Sequence, residues 1–94
     1  MEIESEKYLE RKLSEEVKKI GGWSIKLLST HLTGLPDRLC LLPKGRLFFI
    51  ELKTTNQKPK KIQILIHKKL TDLGFLVFVI DTSEKIKEFI RDHE

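Results

Sequence analysis

Within the stretch GLPDRLCLLPKGRLFFIELKTTNQK, Asp37 opens one apolar run while Glu51 and Lys53 close the next. Pro43-Lys44-Gly45 between the runs is a hairpin signal, with Gly45 free to take the positive φ that short loops need. With that loop Leu42 faces Arg46, and counting outward sets Asp37 opposite Glu51 on one face, their Cβ atoms roughly 5 Å apart. Lys53 falls on the same face, and Leu52 points the other way, leaving its backbone carbonyl between the two charges. A loop one residue longer or shorter would send Glu51 to the opposite face. Two facing carboxylates repel unless they share a proton or hold a cation. A hard divalent ion with oxygen ligands, Mg²⁺ or Mn²⁺, suits such a pair. Lys53 is then positioned to hold a reacting water or the charge developing on a phosphate. The plain alternative is a solvated acid–lysine pair at a strand end, worth little.

The elements that must position these residues follow from periodicity. Over residues 4–20, Leu9, Leu13, Val17 and Ile20 recur at helical spacing before Gly21-Gly22 stops the segment. Trp23 to Leu28 alternates as a short strand, and Ser29 to Gly34 is polar and turn-like. Asp37–Leu42 and Arg46–Lys53 form the hairpin, and Thr54 to Pro59 is a polar break. Ile62, Leu65, Ile66, Leu70 and Leu73 then mark a second helix ending at Gly74. Phe75–Ile80 is a continuous run of β-formers, the pattern of a strand buried on both faces. Asp81-Thr82-Ser83 offers N-caps for a last helix carrying Ile86, Phe89 and Ile90. The predicted fold is one α/β domain spanning residues 1–94, in the order αβββαβα, whose last strand returns by a helical crossover to lie parallel to its neighbour.

A chain of 94 residues has room for one core, and oligomerisation often supplies further burial at this size. Its net charge of +4 favours a polyanionic partner without requiring one. The single cysteine, Cys40, excludes an internal disulfide framework and reads as an apolar filler among leucines. No apolar run reaches membrane-spanning length, and the N-terminal MEIESEKYLER is charged where a signal peptide would be apolar. The expected location is intracellular and cytoplasmic, without a membrane partner. His31, His67 and His93 lack metal-ligand spacing, which argues against zinc.

The ordered set Gly34-x-Pro36-Asp37, Glu51-x-Lys53, with Lys26 before it and Gln63 and Gly74-Phe75 after it, resembles the PD-(D/E)XK nuclease superfamily. Within it, the similarity is to the VRR-NUC (virus-type replication-repair nuclease) family and runs from the first helix to the end. The resemblance implies a restriction-endonuclease-like αβββαβ core with a mixed four-stranded sheet, flanked by helices, plus a C-terminal helix. It also implies metal-dependent hydrolysis of DNA, with Asp37, Glu51 and the Leu52 carbonyl on the metal. Glu10, with Glu6 as its competitor, would be the first-helix carboxylate, binding directly or through water, and Gln63 would complete the catalytic set. Stand-alone members resemble homodimers acting on branched DNA such as four-way junctions. Lys26, His31, Arg38, Lys58, Lys60 and Lys61 are candidates for contacts to the DNA backbone. The competing reading is a module of the same fold that binds nucleic acid without cutting it.

Overall fold

The structure, a computed structural model, describes residues 2–28 and 31–94. Its elements follow the expected order: α1 (Glu6–Lys19), β1 (Trp23–Lys26), β2 (Arg38–Leu42), β3 (Arg46–Leu52), α2 (Lys61–Asp72), β4 (Leu76–Ile80) and α3 (Ser83–His93). Ser29 and Thr30 of the expected polar turn lie outside the described residues, and a turn is described at Thr33-Gly34. The four strands form one mixed sheet in sequence order, antiparallel from β1 to β3 and parallel between β3 and β4.

The hairpin register is the one that a three-residue loop dictates. Leu42 pairs with Arg46 and Arg38 with Ile50, so the next step outward brings Asp37 to Glu51. Gly45 takes φ +73, and Lys44 also adopts a left-handed φ of 69, a departure from the usual glycine preference.

The core lies between one face of the sheet and the pair α1 and α3. Ser5 caps α1 by accepting the Tyr8 N–H, and Leu9, Leu13 and Val17 line its buried stripe. They pack with Cys40, Leu42, Phe48, Ile50, Leu52 and Ile80 from the strands and with Ile86 and Phe89 from α3. Thr82 caps α3, accepting from the Lys85 N–H. Gly22 is required where α1 meets the sheet, since a Cβ there would lie 2.6 Å from the Leu42 side chain and 2.7 Å from the Leu41 carbonyl.

The opposite face, covered by α2, is built differently. Of the five apolar residues expected to face inward from this helix, only Ile66 is buried, while Ile62, Leu65 and Leu73 are exposed. The helix meets the sheet chiefly at β4, which leaves part of its apolar stripe uncovered. Gly34, at φ +98, passes so near α2 that an added Cβ would lie 2.9 Å from the Ile62 carbonyl. This close approach fixes the turn leading into Pro36-Asp37. The expectation that the last strand is buried on both faces fails: β4 is an edge strand, with Leu76 and Val79 exposed. Its apolar run reflects an edge without a described neighbour rather than a central strand. No helix among the described residues is long and apolar enough to cross a membrane.

Candidate active site

Asp37 directly precedes β2, and its carbonyl accepts the Leu27 N–H, extending the sheet one step past the strands' formal ends. Its carboxylate turns toward β3 and accepts the Leu52 N–H at 2.8 Å. In a strand the N–H and C=O of one residue point the same way, so the Leu52 carbonyl also faces the β2 side. The residue opposite Leu52 in this register is Pro36, which has no N–H to donate. The proline of Pro36-Asp37 therefore leaves the Leu52 carbonyl without its usual ladder donor, open to another partner.

Glu51 is 1% exposed although it carries a carboxylate. The Gln63 Nε2 donates to its Oε2 at 3.2 Å, and the Lys53 Nζ stands 3.6 Å from the same oxygen. Gln63 is itself oriented, because its Oε1 accepts the Lys60 N–H at the start of α2. The other oxygen, Oε1, lies 3.6 Å from the His67 Nε2, and both atoms are buried without a hydrogen-bond partner. Burial, then the neighbouring Asp37 charge, push the Glu51 pKa up to about 8, against the opposing pull of Lys53. Burial and the Lys53 ammonium hold the His67 imidazole below its usual pKa.

This donor chemistry fits a divalent cation. The Asp37–Glu51 pair is close enough to disfavour its doubly ionised form, and a cation would remove that repulsion while satisfying the Glu51 Oε1. Asp37, Glu51 and the Leu52 carbonyl are the residues that would hold it. Among the described residues no group of three or more His, Cys, Asp or Glu side chains is arranged as a ready-made cage.

The other candidates separate into distinct places. Glu10 on α1 accepts from the Arg38 guanidinium and lies 3.8 Å from the Lys26 Nζ. Arg38 follows Asp37, so strand alternation turns it to the α1 face, where it is buried. Two of the basic residues expected at a DNA backbone are thus engaged with the helix carboxylate. Glu6 is exposed in the first turn of α1. His31, Lys58, Lys60 and Lys61 lie outside the buried core, the lysines directly following the segment that carries Lys53.

Sequence reasoning missed two features. His67 lacked a chelating partner in sequence, but lies one helical turn after Gln63, and that spacing was the available signal. The second is a clamp on the loop after Lys53. The Thr55 hydroxyl donates to the Asp81 carbonyl at 2.9 Å and accepts the Glu4 N–H at 2.8 Å, while the Asn56 N–H donates to the Asp81 carboxylate at 2.9 Å. A concavity of about 570 Å³ beside this clamp is lined by the acidic Glu2, Glu4, Asp81, Glu84 and Glu88 together with Lys58 and Lys85, an excess of negative charge that makes it a poor seat for a phosphate. The acid pair does not line it.

No protein-family model matches the chain. It is 39% identical over 84 residues to "Putative nuclease p44" of Acyrthosiphon pisum secondary endosymbiont phage 1, a match covering 89% of this chain and 90% of the relative. A solved structure described as "VRR_NUC domain" superposes with a TM-score of 0.89 at 27% identity, covering 97% of this chain and 100% of the other.

Proposed function

This chain belongs to the VRR-NUC family of nucleases, and on that footing we propose that it is a Mg²⁺- or Mn²⁺-dependent endonuclease acting on branched DNA, four-way (Holliday) junctions above all. The observation that carries the reading is the Asp37–Glu51 pair, its glutamate buried and flanked by Lys53. Asp37, Glu51 and the Leu52 carbonyl would hold the cation, which when bound would supply positive charge to the scissile phosphate and acidity to water. Water attacks phosphorus in line with the leaving group, and the bond to the 3′ oxygen breaks, giving a 5′-phosphate and a 3′-hydroxyl. Lys53 donates a hydrogen bond to the attacking water or a phosphate oxygen, where charge grows in the transition state. Gln63 holds the Glu51 carboxylate in one orientation. Glu10 stands as the α1 carboxylate of the site, tethered to Arg38, the residue beside Asp37.

Lys58, Lys60 and Lys61 contact phosphates flanking the scissile bond, with Lys26 and His31 contributing from the β1–β2 side, while Arg38 stays buried against Glu10. The working unit is a two-fold homodimer, supported by the exposed apolar side chains of Phe75, Leu76 and Val79 at the β4 edge. A two-fold axis sets two sites at a fixed separation, which suits the near-symmetric strands of a junction better than a single nick in linear duplex. It acts inside a bacterial cell or a phage-infected host.

Labelled linear duplex, flap, fork and four-way junction DNAs, incubated with Mn²⁺, Mg²⁺, Ca²⁺ or EDTA, test the reading. Paired symmetric cuts in the junction ahead of duplex, with Mn²⁺ or Mg²⁺ only, are expected. Light scattering should give twice the 11.0 kDa chain mass. Full cleavage in EDTA ends the metal mechanism, and equal cutting of duplex and junction by a monomer removes the junction and dimer claims. Tight DNA binding without cleavage under every metal would leave the non-catalytic module.

A further inference from the structure

The chemistry above gives Glu51 Oε1 a cation to bind but leaves the buried atom beside it, His67 Nε2, without a role. They stand 3.6 Å apart, too far to hydrogen-bond directly, and burying both unpaired is unfavourable. Gln63 and His67 project from one face of α2, a turn apart, and divide the two oxygens of Glu51 between them. Gln63 and Lys53 approach Oε2, which leaves Oε1 facing the imidazole nitrogen. An octahedral ion at about 2.1–2.2 Å from two adjacent ligand atoms leaves those atoms roughly 3 Å apart. The orphan edge, at 3.6 Å, is within a small side-chain adjustment of that.

We propose that His67 Nε2 is a nitrogen ligand to the divalent cation held by Asp37 and Glu51, making the site mixed oxygen–nitrogen and selective for Mn²⁺ over Mg²⁺. The inference rests on the metal-dependent reading above and adds a ligand and a metal preference to it. Mg²⁺ is satisfied by oxygen and water and sheds its hydration reluctantly, whereas imidazole suits first-row transition ions. Histidine spacing in the sequence carries no trace of such a site because its other ligands come from the β2–β3 hairpin.

Pulsed electron paramagnetic resonance on the Mn²⁺-loaded wild type reads the proposal directly, because a coordinated imidazole couples its ¹⁴N to the metal. Calorimetry with Mn²⁺ and with Mg²⁺, on wild type and His67→Gln, accompanies it, and circular dichroism verifies the variant's fold. The wild type should show the coupling and His67→Gln should not. The variant should lose about 10-fold or more in Mn²⁺ affinity while Mg²⁺ affinity stays within about 2-fold. Mn²⁺ bound to wild type without ¹⁴N coupling, or coupling that survives in His67→Gln, overturns the role of His67 and leaves the carboxylate metal site standing. Failure of wild type to bind Mn²⁺ at all overturns the metal reading itself. The wild-type spectrum decides the ligand question even if the variant does not fold.

Discussion

The two faces of the sheet divide stability from chemistry. On the α1–α3 face, Leu9, Leu13, Val17, Cys40, Ile50 and Ile86 are fully buried in a contiguous apolar core. On the α2 face the fully buried strand side chain is the carboxylate of Glu51, and the helix above it contributes one buried apolar residue, Ile66. The first face gains free energy from apolar burial, about 25 cal/mol per Å². The second keeps a charge out of water beside another charge, which opposes folding until a cation or a proton relieves it. Glu51 is thus held in an unfavourable setting by a core of which it is not part. Alternation along β3 makes this possible, since Phe48, Ile50 and Leu52 anchor the strand on one side while Glu51 projects from the other.

Changing each face separately puts this division of labour to its hardest test. Asp37→Asn and Glu51→Gln should lower the cleavage rate by at least about 100-fold while leaving the folded circular-dichroism spectrum intact. A Glu51→Gln enzyme that cuts DNA near the wild-type rate would remove Glu51 from the site. Leu13→Ala on the opposite face should do the reverse. It should destabilise the protein by about 3 kcal/mol in urea denaturation, a large share of the roughly 5–15 kcal/mol typical of a domain, without changing the rate of the folded fraction. Equal losses of activity and stability in all three variants would mean that the faces are not independent.

A smaller effect comes from pH. Folding raises the Glu51 pKa from its ordinary value of 4.5 to about 8, so between those values the folded chain keeps a proton that the unfolded chain has released. Its contribution is fully present below the unfolded value and is lost as pH rises through the folded one. Metal-free wild type should accordingly melt at lower temperature at pH ~8.5 than at pH ~5.5. Glu51→Gln should flatten the dependence and melt roughly 5 °C or more above wild type at the higher pH. A saturating divalent ion should restore the wild type there, because the cation replaces the proton. Parallel melting curves for the two proteins across this range would show that Glu51 is not strained by its burial.

The smallest effects lie outside both faces. Changing Lys58, Lys60 or Lys61 to Ala should weaken DNA binding evenly across sequences. Each substitution should also flatten the slope of log affinity against log salt by about one unit, the signature of one phosphate no longer neutralised. An unchanged slope returns these lysines to an ordinary solvated surface.

The order of elements, the hairpin register and the meeting of Asp37 with Glu51 were all legible in the residues alone. They follow from local rules: side chains alternate along a strand, and a three-residue loop leaves one pairing between Arg38–Leu42 and Arg46–Ile50. Pro36 was visible as a motif residue, but the consequence that it frees the Leu52 carbonyl required the register to be seen. How each helix is rotated and docked emerged from the folded molecule. That rotation drew Glu10 to Arg38 and Lys26, brought His67 to the second oxygen of Glu51, and left Leu76 and Val79 exposed on an edge. A helix's periodicity fixes which residues share a face. Which strand, charge or open space that face meets depends on the packing of residues distant in sequence, and no local pattern encodes it.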